Sequence, residues 1–162
     1  PRTMSSATLE AALRRHPFVE GFEPLHVERL AALAREVRFA GDQVIFREGD
    51  DAHDFFLIVA GRIALEMQEP DHVLRIQTLG AGEEFGGSAV LLGRGKSFPA
   101  RPLEPVQALA LDGPQLLAAC QADTGFGYAL MLHMLGVVSE RLQATRLQLH
   151  DMHSPKAKRA GT

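Results

Sequence analysis

The chain has 162 residues, 46% of them hydrophobic, and a formal net charge of −3 at pH 7. This length predicts about one domain with a hydrophobic core, and the charge gives no general attraction to nucleic acid or anionic membranes. Cys120 is the only cysteine, which excludes an intrachain disulfide and any zinc or iron–sulfur site built from four thiolates. With no apolar run near the roughly 20 residues of a membrane helix, we expect no membrane association and a cytoplasmic location.

Two helices are predicted before the first strand, over residues 6–37. Ser5 and Ser6 can cap a first helix that runs through Arg15, and His16-Pro17 ends it. Pro24 suits the first turn of a second helix. The apolar stripe of this second helix is expected to contain Leu25, Leu30, Leu33 and Val37.

The central part of the chain reads as a series of short strands. Residues 39–64, FAGDQVIFREGDDAHDFFLIVAGRIA, alternate apolar segments with glycine–aspartate corners. β-Branched and aromatic residues fit a half-buried sheet, and Gly and Asp tolerate the backbone angles of tight corners. The pattern predicts a mostly β fold with flanking helices, in which residues 37–112 form a small barrel or a cupin-like jelly roll. The predicted strands are Val44–Phe46, Phe55–Val59, Ile63–Leu65, Val73–Leu79 (with one buried face) and Val106–Leu111.

Two C-terminal helices are predicted over residues 113–150. Asp112-Gly113-Pro114 starts a short helix through Ala122, and Asp123 or Thr124 can cap a long final helix. The long helix carries two apolar stripes. The first is a heptad seam of Tyr128, Met131, Leu135, Val138, Leu142, Thr145 and Leu149, and the second consists of Leu130, Met134 and Val137.

Two stripes are more than a single packing face requires. We expect one stripe to pack on the roll and the other on its twin in a homodimer, whereas the simpler alternative is one helix packed only on its own roll. Gly136 either lets another backbone come close or is an ordinary tolerated glycine. The domain is expected to cover residues 1–153, followed by a disordered tail at 154–162.

Four motifs resemble the cyclic-nucleotide-binding domain of the catabolite activator and fumarate–nitrate regulator (Crp/Fnr) superfamily. They are a G-D-x-x-I/F-x-E-G-D pattern at 41–50, an A-G-R hairpin at 60–62, a loose G-x-x-x-x-G-E-x-F-G at 79–86, and R-L-Q-A-T at 141–145. The resemblance covers about residues 25–151. It implies a jelly roll followed by a long dimerisation helix, in a bacterial protein of signal transduction.

The resemblance also implies a ligand site. In the family, a glycine-rich turn and an arginine hold the cyclic phosphate, a glutamate accepts the ribose hydroxyl, and a threonine of the long helix contacts adenine. Here Lys96 stands nearest to the arginine, with Arg94 and Arg101 as alternatives. Gly87 replaces the glutamate, and Glu83 and Glu84 are expected to face elsewhere. The implied ligand-binding residues are Gly86, Gly87, Ser88, Ala89, Lys96, Ser97, Thr145 and Arg146.

These replacements predict weak binding of cyclic AMP and cyclic GMP. Losing the hydroxyl acceptor costs about 1–3 kcal/mol, and weakening the clamp costs a similar amount, which together lowers affinity roughly a hundred- to ten-thousand-fold. The pocket therefore binds a cyclic nucleotide only weakly, binds another small anion, or binds no ligand. The alternatives are a non-sensing interaction or scaffold protein, with the pocket filled by Phe98 and Leu91, and the sensor half of a transcription regulator.

Several other classes of function lack their sequence signatures. There is no nucleophile elbow, Walker loop or HExxH, so we predict no enzyme activity and no catalytic residues. About a dozen residues follow His150, too few for a helix-turn-helix, so direct DNA binding is not expected. The loop with Asp50, Asp51, His53 and Asp54 is interpreted as a solvated corner rather than a metal site. Haem is a minor alternative, because Ser88 stands where the family's carbon-monoxide sensor has a histidine.

Overall fold

The N-terminal helices begin where the capping residues predict. The structure is a computed structural model that describes residues 3–45, 53–87 and 99–153. Helix α1 spans Ser6–Arg15, and the Ser5 hydroxyl caps it by accepting the Thr8 N–H. A 3₁₀ turn at Pro17–Val19 leads to α2, which spans Pro24–Leu33 with proline in its first turn.

Helix α2 is shorter than predicted. It ends at Leu33, and Ala34–Phe39 forms strand β1, in which Val37 lies opposite Ala108. The residues buried by α2 are Val27 and Leu30, while Leu25 is 72% exposed. The prediction of a helix to residue 37 was wrong because six consecutive residues pair with a central strand. Such a ladder outweighs the weak helical periodicity of a short segment.

Two antiparallel sheets form the roll. The remaining strands are β2 (Asp54–Ala60), β3 (Ile63–Gln68), β4 (Val73–Leu79), β5 (Glu84–Phe85), β6 (Ala100–Pro102) and β7 (Val106–Asp112). One sheet has the order β1-β7-β2-β5 and the other has the order β4-β3-β6. The jelly-roll class predicted from the sequence is confirmed by this architecture.

Strand alternation divides the core into two layers. On β2, Phe55 and Leu57 face the helices, whereas Phe56 and Ile58 face the interior of the roll. The interior layer also holds Ile63, Leu79, Phe85, Ala100, Val106, Ala108 and Ala110. The rings of Phe56 and Phe85 stack with centroids 4.7 Å apart, so aromatic contact closes part of this interior.

Two predicted strand features differ from the structure. Strand β4 has no continuous buried face, since Val73, Leu74 and Ile76 are exposed and Leu79 is its buried residue. Strand β4 lies at the edge of its sheet, where apolar and polar side chains can alternate although no second layer covers the apolar ones. Val44 and Ile45 are outside any strand, although the Ile45 N–H donates to the Ala100 carbonyl. Phe46 lies outside the described residues.

The corners use residues that tolerate positive φ. Gly61 has φ +93°, and a Cβ there would lie 2.5 Å from the Pro105 carbonyl oxygen, so the predicted hairpin requires glycine. Asp42 adopts φ 67°, as expected for a glycine–aspartate corner.

The C-terminal helices begin as predicted. Helix α3 spans Gly113–Ala122 with Asp112 as its N-cap, and α4 spans Thr124–Met152 with Asp123 as its N-cap. Helix α4 has 29 residues and is about 43 Å long. In the described parts of the chain, no helix combines the length and apolar character needed to cross a membrane.

Candidate ligand-binding turn and the long helix

The glycine turn packs directly under the long helix. Strand β5 leads into it, and Gly86 has φ +84°. A Cβ at Gly87 would lie 2.5 Å from the Met134 Cε and 3.0 Å from the ring of Phe55. A side chain at Gly87 would therefore require the flexible end of Met134 to move away and the Phe55 ring to shift by a few tenths of an ångström. The resemblance places the family's ribose-binding glutamate at this position.

The other implied ligand residues fall into two groups. Ser88, Ala89, Lys96 and Ser97 lie outside the described residues, as do Arg94, Leu91 and Phe98. Thr145 and Arg146 lie on the exposed last third of α4, and the Thr145 hydroxyl donates to the Arg141 carbonyl at 2.9 Å. The structure thus locates the glycine turn and the helical positions, and the phosphate-clamping residues remain a prediction.

Arg101, one alternative clamp, is engaged by a carboxylate. Its Nε and Nη2 donate to the two oxygens of Glu66 at 2.9 and 3.1 Å, and Asp42 lies 3.5 Å away. This hydrogen-bonded pairing lowers the pKa of Glu66. A guanidinium held in this two-pronged geometry is unsuited to clamping a ligand phosphate as well.

An ion pair joins the glycine turn to α4. Glu84 is only 7% exposed, and its Oε1 accepts from Arg141 Nη2 at 2.6 Å; the same nitrogen also donates to the Glu84 carbonyl. Glu84 lies opposite Leu57 in the sheet, so its side chain is on the helix-facing side. Burial raises the pKa of Glu84, and the neighbouring Arg141 partly offsets this. Both residues belong to sequence motifs that resemble the family, but no local pattern indicates that they pair.

His16 forms a second link that the sequence did not predict, between the 3₁₀ turn and β2. It is buried, its Nε2 donates to the Ile58 carbonyl at 3.0 Å, and its Nδ1 accepts the Phe18 N–H at 3.2 Å. This arrangement suits the neutral ring, and burial lowers its pKa. His16 thereby fixes the 3₁₀ turn against β2, beside the chain segment that leads to the glycine turn.

The two stripes of α4 have different environments. Leu130 and Met134 are buried and Val137 is partly buried against the helix-facing core, so this second stripe packs on the roll. The heptad seam lies on the adjacent face of the helix. Tyr128, Met131, Leu135, Val138, Leu142, Thr145 and Leu149 are all exposed in the single chain. The long helix therefore contacts the glycine turn with one stripe and presents the other to solvent.

Comparison with known proteins identifies the family. A family model described as "Cyclic nucleotide-binding domain" matches residues 36–123, slightly more than half of the chain. The chain belongs to the cyclic nucleotide-binding domain family. The resemblance predicted from the short motifs is confirmed by this match.

Individual relatives of this cyclic nucleotide-binding domain are distant. It is 28% identical over 105 residues to the cAMP/cGMP-dependent 3',5'-cAMP/cGMP phosphodiesterase B of Dictyostelium discoideum, covering 60% of this chain and 9% of that protein. It is 23% identical over 145 residues to a CRP-like cAMP-activated global transcriptional regulator of Mycobacterium tuberculosis, covering 89% and 63% of the two chains. The chain thus spans less than two thirds of either relative.

Its fold is shared with a solved structure. The N-terminal domain of a transcriptional regulator from Streptomyces coelicolor A3(2) superposes with a TM-score of 0.67 at 24% identity, covering 85% of this chain and 94% of that one. The sheets, the flanking helices and the long C-terminal helix are therefore those of the family fold.

Proposed function

We propose that this domain is a non-catalytic, cytoplasmic regulatory module in which α4 transmits the state of the ligand-binding turn. The observation that carries this proposal is the packing of Met134 on the turn at Gly87, while the adjacent seam of the same helix is exposed. A ligand that moves the turn must also move Met134 or the helix that bears it. A change at the pocket is then carried to the seam.

We infer that the ligand is a small anion bound by the segment 86–97, with Lys96 and Ser97 at its charged group. Gly86, Gly87, Ser88 and Ala89 supply backbone N–H groups, and Thr145 and Arg146 lie where the family's long helix meets the base. The glycine at position 87 supports weak rather than tight binding of cyclic AMP, because it offers no carboxylate to a ribose hydroxyl.

We further infer that the seam pairs with the same seam of a second copy. Six of its seven residues are large and hydrophobic, and all seven are exposed at heptad spacing. An exposed apolar stripe of this length on a 29-residue helix is typical of a surface that another helix covers. The homodimer would place two ligand-binding turns on one two-helix unit.

The test is thermal unfolding with cyclic AMP, cyclic GMP, cyclic dinucleotides and haem, each up to millimolar concentration. A ligand at a hundred times its dissociation constant adds about 2.7 kcal/mol, which raises Tm by several degrees. We expect one anionic ligand to raise Tm and Lys96→Ala to abolish the shift. Arg15→Ala, which removes one exposed positive charge from the end of α1, is the matched control and should keep it.

A second candidate function is a non-sensing interaction module that retains the fold. The tight contact of Gly87 with Met134 and Phe55 favours it, since this contact closes one side of the turn. If no ligand shifts Tm while the protein is a dimer in solution, the sensing proposal is wrong and this second function stands. A shift that persists in Lys96→Ala would instead contradict the assignment of Lys96.

A further inference from the structure

Arg141 connects the chain segment before the glycine turn with the exposed part of α4. Its Nη2 donates to Glu84 Oε1 at 2.6 Å and also to the Glu84 carbonyl, two residues before Gly86. Glu84 is buried, whereas the Arg141 side chain is 32% exposed. Because the hydrogen bond to the carboxylate is charge-assisted and a second bond reaches the backbone, the two together fix the direction of a long cationic side chain.

The same arginine flanks the heptad seam. With Leu142 at position a of the heptad, Arg141 is at position g and Arg146 is at position e. In a parallel pair of such helices, the g side chain of one helix lies across from the e side chain of the next heptad in its partner. Arg141 would therefore lie across from Arg146 of the second copy, unless its side chain is directed elsewhere.

The charges beside the seam are of one sign. From residue 132 to residue 148, the e and g positions hold Leu132, Met134, Ser139, Arg141, Arg146 and Gln148. An arginine across from an arginine opposes pairing, and the twofold axis of a homodimer makes this contact occur twice. Arg141, however, continues the roll-facing stripe at the spacing of Met134 and Val137, and its guanidinium is bound to Glu84 on the roll.

We propose that Glu84 strengthens the homodimer by holding Arg141 on the roll, away from Arg146 of the second copy. A movement of the glycine turn that withdraws Glu84 releases Arg141 beside the seam, where like charges then meet at two symmetric positions. The strength of the dimer thereby depends on the position of the turn. This inference rests on the proposed function and names the contact through which the turn acts on the seam.

The test measures the dissociation constant of the dimer by analytical ultracentrifugation over a dilution series. Glu84→Met removes the carboxylate but keeps an unbranched side chain in the buried site, so Arg141 retains only the carbonyl contact. We expect this constant to rise about threefold to tenfold at about 0.1 M salt. The difference from the wild-type protein should shrink at about 1 M salt, where the Debye length falls to about 3 Å. An unchanged constant in Glu84→Met would overturn the proposal.

Arg146→Gln separates charge repulsion from structural damage. Added to Glu84→Met, it should return the dissociation constant to within about twofold of the wild-type value, because the released Arg141 then meets no like charge. Alone, it should change the constant little, since Glu84 still holds Arg141. A weakened dimer that persists both in the double variant and at high salt would show that Glu84 only supports the turn, which contradicts the proposal.

The wild-type protein tests the homodimer in the same dilution series. A wild-type protein with the mass of a single chain at every concentration contradicts the homodimer and, with it, this inference. A wild-type dimer whose strength is independent of Glu84 contradicts this inference alone. None of these measurements uses a ligand, so a failed ligand panel is a separate outcome.

Discussion

Replacement by alanine should have opposite effects on stability at Gly87, which lies under α4, and at Gly136, which lies within it. A side chain at Gly87 would collide with Met134 and Phe55, whereas nothing lies within 4 Å of a Cβ at Gly136. Gly87→Ala should therefore destabilise the fold by about 1 kcal/mol, because the end of the Met134 side chain must leave its packed position and the Phe55 ring must shift slightly. Gly136→Ala should stabilise it by about 0.5–1 kcal/mol, because alanine favours the helix and its methyl group enters open space.

Urea unfolding of both variants checks this prediction. The cost of Gly87→Ala should fall in the Met134→Ala background, since the methyl group that it meets is then gone. An equal cost in both backgrounds would show that the strain lies in the turn itself. The double variant Gly87→Glu, Met134→Ala tests whether a carboxylate acceptor for the ribose hydroxyl can be restored once the Met134 side chain is shortened.

His16 makes the free energy of unfolding depend on pH, and the direction of this dependence follows from its lowered pKa. Its pKa is lowered in the folded state from the ordinary value of 6.5, chiefly by burial, so the unfolded chain binds more protons in the interval below that value. Stability is then complete above about pH 6.5 and falls as the pH drops towards the folded-state pKa. His16→Ala should cost about 1–3 kcal/mol near neutral pH through its lost hydrogen bonds, and should flatten this pH slope.

Denaturant unfolding between about pH 5 and 7.5 checks the His16 prediction. His72→Ala is the control, since His72 is exposed in the β3–β4 hairpin and its loss should leave the slope unchanged. A His16→Ala protein with the wild-type slope would assign the pH dependence to another group, with Glu84 the next candidate.

Among the elements, those with local physical signals were predictable from the sequence. The caps at Ser5, Asp112 and Asp123 fixed three helix starts because a side-chain oxygen satisfies N–H groups within its own first turn. The end of α2 and the exposure of β4 were not predictable, since each depends on a strand partner or a covering layer distant in sequence.

The candidate site follows the same rule. The glycine turn was recognisable from its residue types, and so was the division of α4 into two stripes. The closure of Gly87 by Met134 and the pairing of Glu84 with Arg141 join residues 47 and 57 positions apart. No local pattern connects such positions, so only the folded chain reveals these contacts.

At the scale of the whole molecule, the end of α4 extends beyond the roll as a helix with exposed apolar side chains. Every residue from Leu142 to Met152 is exposed, and within the described part of the chain Arg141 is the position nearest to this end that contacts the roll. The end of a helix without side-chain packing frays readily, so a surface that covers its apolar residues would stabilise it. The proposed homodimer would supply such a surface by burying Leu142 and Leu149 against their copies.

We therefore expect the amides of residues 142–152 to be protected from hydrogen exchange at high protein concentration and exposed at low concentration, while residues 126–137 stay protected throughout. Leu142→Glu should halve the mass measured by light scattering and abolish the concentration dependence, because each chain loses a buried leucine and two like charges meet in the seam. Gln143→Glu adds the same charge one position away, outside the seam, and should remain a dimer. Protection of residues 142–152 that is independent of concentration, in a protein with the mass of a single chain, would contradict the dimer and require another partner for the seam.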